Sequence, residues 1–322
     1  MDAMRWKKLG KIFDPTRHTL PNDCVQFAQS PQALVFDEFV RIYFSTRAMD
    51  PRNGKYLSHI AFVDMKKDLC EVIRVSDKVV IPLGGLGCFD EHGIFPMNVV
   101  RHHGAIYAYT CGWNRRVSVS VDTAIGLAIS HDDGLTFQRI GDGPVLAASL
   151  HEPCLVGDGF VKIIGDTFHM WYIFGTGWKK YAPCAPPDRT YKIGHAVSKD
   201  GIHWDKEEAR KIITDRLGRD ESQALPTVIK IAGRHHMFFC YRQSFDFRES
   251  KERGYRIGHA WSDDLANWTR DDDNPLLEGS PGEWDGDMQC YPNVFECDGK
   301  VYLLYNGNEF GRYGFGLAEL QP

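Results

Sequence analysis

The sequence predicts an all-β fold, a five-bladed β-propeller of four-stranded antiparallel blades, in one domain spanning residues 1–322. Three observations carry this. One strand-rich unit repeats five times, short turns join the strands within each unit, and the N-terminus supplies a strand that the last unit lacks.

The aromatic strands VRIYFSTR (40–47), AIYAYTCGW (105–113), FHMWYIFGTGW (168–178), HHMFFCYRQ (235–243) and VYLLYNGN (301–308) mark the repeat. Each follows a shorter apolar run: ALVF (33–36), MNVVR (97–101), FVKII (160–164), TVIKI (227–231) and NVFEC (293–297). Junctions such as Gly233-Arg234 and Asp298-Gly299 read as hairpin turns. β-branched and aromatic residues dominate and no helical period is present, so these runs are strands.

A third strand follows in each unit: 56–64, 124–130, 191–198, 255–262 and 313–320. Three of them end in related turns, SHDDGLTF (130–137), SKDGIHW (198–204) and SDDLANW (262–268). Asp and Gly there suit local side-chain bonding and positive φ, so their aspartates read as turn residues. Fourth strands are expected from the turn aromatics onward, as in FQRIGDGPVL (137–146) and WTRDDDNPLL (268–277). The last unit stops after its third strand. WKKLGKIFDP (6–15) has the missing layout, so residues of about 5–13 are expected to pair with 313–320 and close the ring.

Composition narrows the function classes. The formal net charge is −5 with no basic block, which leaves no electrostatic footprint for nucleic acid. No apolar run reaches the roughly 20 residues of a membrane helix. Lysines interrupt the N-terminus where a secretion signal needs its apolar core. The nine cysteines are scattered without CxxC spacing, which favours a reducing cytoplasm and gives no zinc motif. No metal or cofactor is expected; the expected partner is a carbohydrate or a sugar-containing small molecule.

In such a blade, the loop before the first strand and the end of the second strand open on one face. The lead-in loops carry Asp23, Asp90 with Glu91 and His92, His151 with Glu152, Asp220 with Glu221, and Asp285 with Asp287. The second strands end at Arg47, Trp113, Trp178, Arg242 and Asn308. Acids, arginines and indoles round one axis suit a sugar, with carboxylates for acid-base work and indoles for stacking. Each has a plainer reading: the acids as loop residues, the tryptophans as caps between blades, the arginines as partners of nearby acids, and the histidines as polar neighbours.

With five-fold repetition, turns such as SKDGIHW and the NPLL segment, the chain resembles the five-bladed propeller glycosidases of families 32, 43, 62, 68, 117 and 130. The resemblance implies a base or nucleophile at Asp23, an orienting acid at Asp90 and a proton donor at Glu152. Substrate contacts would come from Arg47, His92, Trp113, Trp178, Glu221, Arg242, Asp287 and Asn308. The implied activity is glycoside hydrolysis. A transferase or phosphorylase on the same scaffold, and a non-catalytic sugar-binding propeller, are the alternatives.

Overall fold

The computed structural model describes residues 4–273 and 275–321; Asn274 of the NPLL segment lies outside them. After β1 (Trp6–Phe13) the strands fall into repeating units. The first holds β2 (Gln26–Val35), β3 (Phe39–Met49), β4 (Tyr56–Lys66) and β5 (Val72–Val75). The second holds β6 (Gly93–His102), β7 (Ala105–Arg115), β8 (Val121–Ser130) and β9 (Gln138–Arg139). Then come β10 (Val156–Ile164), β11 (Thr167–Lys179), β12 (Asp188–Ser198) and β13 (Asp205–Lys206). The fourth is β14 (Glu221–Ile231), β15 (Arg234–Gln243), β16 (Arg256–Ser262) and β17 (Thr269–Arg270). The last has β18 (Cys290–Cys297), β19 (Lys300–Asn306) and β20 (Phe315–Leu320).

Strands within a unit pair antiparallel in sequence order. The first two units share one sheet through a single parallel pairing of Ser58 with Gly93. Hairpins turn at His103-Gly104, Ala232-Gly233 and Asp298-Gly299, with positive φ at both residues of each turn, which matches the strand twist. The fourth junction lies one residue before the expected Gly233-Arg234, because Arg234 already pairs with Ile231. Fourth strands are shorter than expected, two residues in β9, β13 and β17.

β1 pairs antiparallel with β20, from Trp6 opposite Leu320 to Phe13 opposite Phe315. Removing residues 1–14 would bare the β20 edge and the cluster holding Phe13, Phe44 and Phe315. The truncated protein is expected to aggregate or melt at clearly lower temperature. A monomeric truncation with unchanged melting would oppose that role for β1.

Hydrophobic packing lies between units. Tyr43, Phe62, Val99 and Ile106 join the first to the second; Tyr109, Leu127, Val161 and Met170 join the second to the third. Trp171, Ile193, Val228 and Phe239 continue to the fourth, and Ile229, Phe238, Val294 and Leu303 to the last. Val40, Phe44, Phe295 and Leu304 bring the last against the first.

The Ser-x-Asp turns add a polar clasp between units. Ser130 and Asp132 bond within their turn, as do Ser198 with Asp200 and Ser262 with Asp264. The Tyr43 hydroxyl donates to the Gly134 carbonyl at 2.8 Å, and that of Tyr109 to Gly201 at 3.0 Å. A Cβ would lie 2.1 Å from the Tyr43 oxygen at Gly134 and 2.6 Å from the Tyr109 oxygen at Gly201, both at positive φ, so only glycine fits either place.

Candidate functional site

The innermost strands share one irregularity. Ser30-Pro31, Phe95-Pro96, Leu225-Pro226 and Tyr291-Pro292 occupy equivalent places, with Asp158-Gly159 as the third-unit counterpart. Pairing to the second strand slips there in every unit, as it does between Gly157 and Phe160. Proline has no N–H for the ladder, and a bulge re-aims the side chain beside it. Ser30, Asp158, Leu225 and Tyr291 have positive φ. Non-glycine residues in that region cost on the order of 1–3 kcal/mol and cluster at functional sites.

Phe95, Asp158, Leu225 and Tyr291 line one cavity of about 310 Å³. Its walls add Arg47, Trp113, Arg189, Arg242 and Arg248 with Phe27, Tyr56, Tyr191 and Tyr255. Among the described residues, Asp158 is the one carboxylate in this lining. Burial raises its pKa to about 7, against the opposing pull of the Leu225 N–H and the Arg189 charge. The Leu225 N–H donates to its Oδ2 at 3.3 Å.

Among the described residues, none of the four arginines has a carboxylate ion pair. Arg242 lies 3.5 Å from the Phe247 ring centre and donates to the Tyr191 hydroxyl at 2.8 Å. Arg47 covers Phe27 at 4.6 Å, Arg248 covers Phe247 at 4.2 Å, and Arg189 covers Trp178 at 5.4 Å. Stacking fixes these planes and leaves the edges to bind. The Nε atoms of Arg47 and Arg242 are buried without a partner. Burial, and then the charge of Arg248, hold the Arg47 pKa below its usual value. Arg248 is lowered in the same way by burial, Arg189 and Arg242.

Of the residues expected from sequence, Arg47, Trp113 and Arg242 line this cavity. His92 stacks behind Trp113 with ring centres 6.0 Å apart, and Trp178 backs Arg189. Asn308 accepts from the Asp287 N–H at 2.9 Å, while Asp287 pairs with Lys251 at 2.5 Å near the surface. Asp23 lies in the turn Pro21–Asp23 ahead of β2, outside the lining.

The remaining lead-in acids share a different geometry, and the expected convergence of Asp23, Asp90 and Glu152 on one pocket is not what the lining contains. Asp90, Glu152, Glu221 and Asp285 are fully buried, each against a cation of the outermost strand of its unit. Asp90 accepts from Arg139 Nε at 3.0 Å. Glu152 pairs with Lys206, and accepts from the Tyr172 hydroxyl at 2.8 Å and the Ala209 N–H at 3.0 Å. Glu221 pairs with Arg270 at 2.6 Å and Asp285 with Lys8 of β1 at 2.5 Å. The acid recurring at this place ties the lead-in loop to the outer strand in four of the five units.

Asp158, Arg189 and Arg248 were not expected from sequence. Aligning the inner strands on Pro96, Pro226 and Pro292 points to Asp158, because the residue before each of these prolines lines the cavity.

No family model matches the sequence. Over 324 aligned residues, covering 99% of this chain and 100% of the other, it is 33% identical to the uncharacterized protein Rv1502 of Mycobacterium tuberculosis (strain H37Rv). The chain belongs to the family of that protein. It is also 26% identical over 258 residues to the 1,2-beta-oligomannan phosphorylase of Thermoanaerobacter sp. (strain X514), covering 77% of this chain and 76% of that one. Among solved structures, a glycoside hydrolase superposes with a TM-score of 0.73 at 17% identity, covering 98% of this chain and 92% of the other. The β-1,2-mannobiose phosphorylase from Listeria innocua, in complex with β-1,2-mannobiose, does so with a TM-score of 0.66 at 13% identity, covering 99% and 96%. A thermostable family-43 glycoside hydrolase gives 0.63 at 16% identity, covering 94% and 92%. The all-β fold is that of the propeller glycosidases. Among the described residues no helix is long and apolar enough to cross a membrane.

Proposed function

We propose that the chain is a five-bladed propeller closed by its N-terminal strand, and that its axial pocket cleaves a glycosidic bond by transfer to phosphate. The ring is supported by packing of each inner strand on the next, with β18 against β2. Lys8 supports it too, standing to Asp285 as Arg139, Lys206 and Arg270 stand to their acids.

One observation carries the chemistry: among the described residues, a single buried carboxyl lines a pocket with four arginines and no second acid. Cleavage by paired carboxylates needs a protein base or nucleophile, which this lining lacks. Arginines unmatched by protein acids suit an anionic nucleophile. Phosphate oxygen would bond to the anomeric carbon as the C–O bond to the leaving sugar breaks. Asp158 gives its proton to the leaving oxygen and is reprotonated from solvent. The likeness to the oligomannan phosphorylase supports this reading, and β-1,2-mannobiose is the first donor to test. Sugar release should depend on phosphate concentration and saturate; an unchanged rate without phosphate would point to hydrolysis. A cytoplasmic location goes with this reading, since all nine cysteines are unpaired.

The pH dependence follows from Asp158, whose carboxyl must be protonated to act as the acid. Raised to about 7, it is protonated below that value and ionised above it. kcat/KM is expected to fall as pH rises through about 7. A flat profile from pH 6 to 9 would oppose Asp158 as donor.

A further inference from the structure

The inner strands enclose a second cavity, at the end away from the axial pocket. It measures about 690 Å³ and is lined by the later halves of β2, β6, β10, β14 and β18, so every unit contributes. A belt of polar side chains lies between the two. Asn98 accepts from the Val161 N–H at 2.8 Å, Thr227 from the Val294 N–H at 3.2 Å and Asn293 from the Ala33 N–H at 2.9 Å. The Asn98 and Asn293 amides donate to Gln32 Oε1 at 3.1 and 3.2 Å. With Asp158 accepting from Leu225, the belt joins each inner strand to the next. Among the described residues the two cavities share no lining residue.

Three cations stand round the second cavity, Arg101 on β6, Lys162 on β10 and Lys230 on β14, against one acid, Glu296 on β18. This is a local positive excess in a chain of net charge −5. Among the described residues no hydrogen bond or ion pair holds the head group of any of the three, and Arg101 covers the Phe36 ring at 4.4 Å. Lys162 is partly buried, and burial lowers its pKa against the pull of Glu296. An ammonium kept there without a partner costs stability, a cost that a binding site for an anion would account for. The wall beside the cations is apolar, with Val100, Phe160, Ile164, Val228 and Phe295. Inorganic phosphate would meet the cations but leave that wall wet. We propose that this cavity binds an organic phosphate, its anion on Lys162, Lys230 and Arg101 and its body against the apolar wall. The phosphate brings about two negative charges at neutral pH, and its oxygens accept charge-assisted hydrogen bonds.

Calorimetry with AMP and mannose 1-phosphate, each against its neutral parent adenosine or mannose, tests it in the wild type and in the double variant Lys162→Met, Lys230→Met. At least one ester is expected to bind about ten- to hundredfold more tightly than its parent, as charged hydrogen bonds provide. The double variant should lose one equivalent of that binding. Which ester is affected separates a nucleotide from a sugar phosphate. Without ligand, Lys162→Met should melt no lower than the wild type, because it removes a charge that has no partner. The same ester should raise the melting temperature of the wild type and no longer raise that of the double variant. Ester binding undiminished in a folded double variant seats the ligand elsewhere and overturns the inference. Equal binding of ester and parent overturns it too, as does inorganic phosphate that binds as tightly as both esters. A ligand-free Lys162→Met protein that melts clearly lower would give the lysine to the fold instead.

Discussion

Asp158→Asn is expected to lower turnover by about 10²–10⁴-fold while leaving substrate affinity largely intact, since general acid catalysis contributes on that order. The amide keeps the shape and can still accept from the Leu225 N–H, but it holds no transferable proton. Glycosides with a nitrophenyl leaving group should be much less impaired, because their departure hardly needs protonation. The decline of rate above about pH 7 should vanish with the carboxyl. Single-turnover kinetics on both donors measure this. Equal loss on the two classes of donor would assign Asp158 a role in binding or folding rather than proton transfer.

Glu152→Ala should act on stability. The side chain of Glu152 is wholly buried and that of Lys206 is 9% exposed, so truncation leaves a buried ammonium without its partner. Breaking such a pair costs about 3–5 kcal/mol, which lowers the melting temperature by roughly 5 °C or more in a chain of this size. The Tyr172 hydroxyl and the Ala209 N–H lose their acceptor as well. Activity per folded molecule should change far less than in Asp158→Asn. A protein that melts normally but has lost turnover would return Glu152 to the chemistry.

The contrast between Asp158 and Glu152 explains what sequence could reveal. Strand order, the turn at Ser130–Asp132 and the pairing of β1 with β20 rest on local pattern and on repetition, and both are visible in one dimension. The cavity-lining places of Arg47, Trp113 and Arg242 followed from the direction of the second strands. The lead-in acids recur in sequence without converging on the cavity lining. Asp90, Glu152, Glu221 and Asp285 recur where four of the five lead-in loops meet the outer strand, and their partners Arg139, Lys206, Arg270 and Lys8 lie far along the chain. Asp158 breaks the repeat instead, a carboxyl where Phe95, Leu225 and Tyr291 are apolar or aromatic. Arg189 lies at the start of the third strand β12, ahead of the segment 191–198 that shows the repeat, and Arg248 lies between β15 and β16, so only packing in three dimensions brings them to the cavity.

A crystal soaked with inorganic phosphate and the monosaccharide released from an active donor tests the central claim most directly. Phosphate is expected on the edges of the arginines Arg47, Arg189, Arg242 and Arg248. The sugar oxygen that left the bond should lie within hydrogen-bond reach of the Asp158 carboxyl, about 2.6–3.2 Å. Ligands seated only elsewhere, for instance at the separate cavity lined by Lys162, Lys230 and Glu296, would contradict it. So would an Asp158 carboxyl with no contact to a sugar bound in the axial pocket.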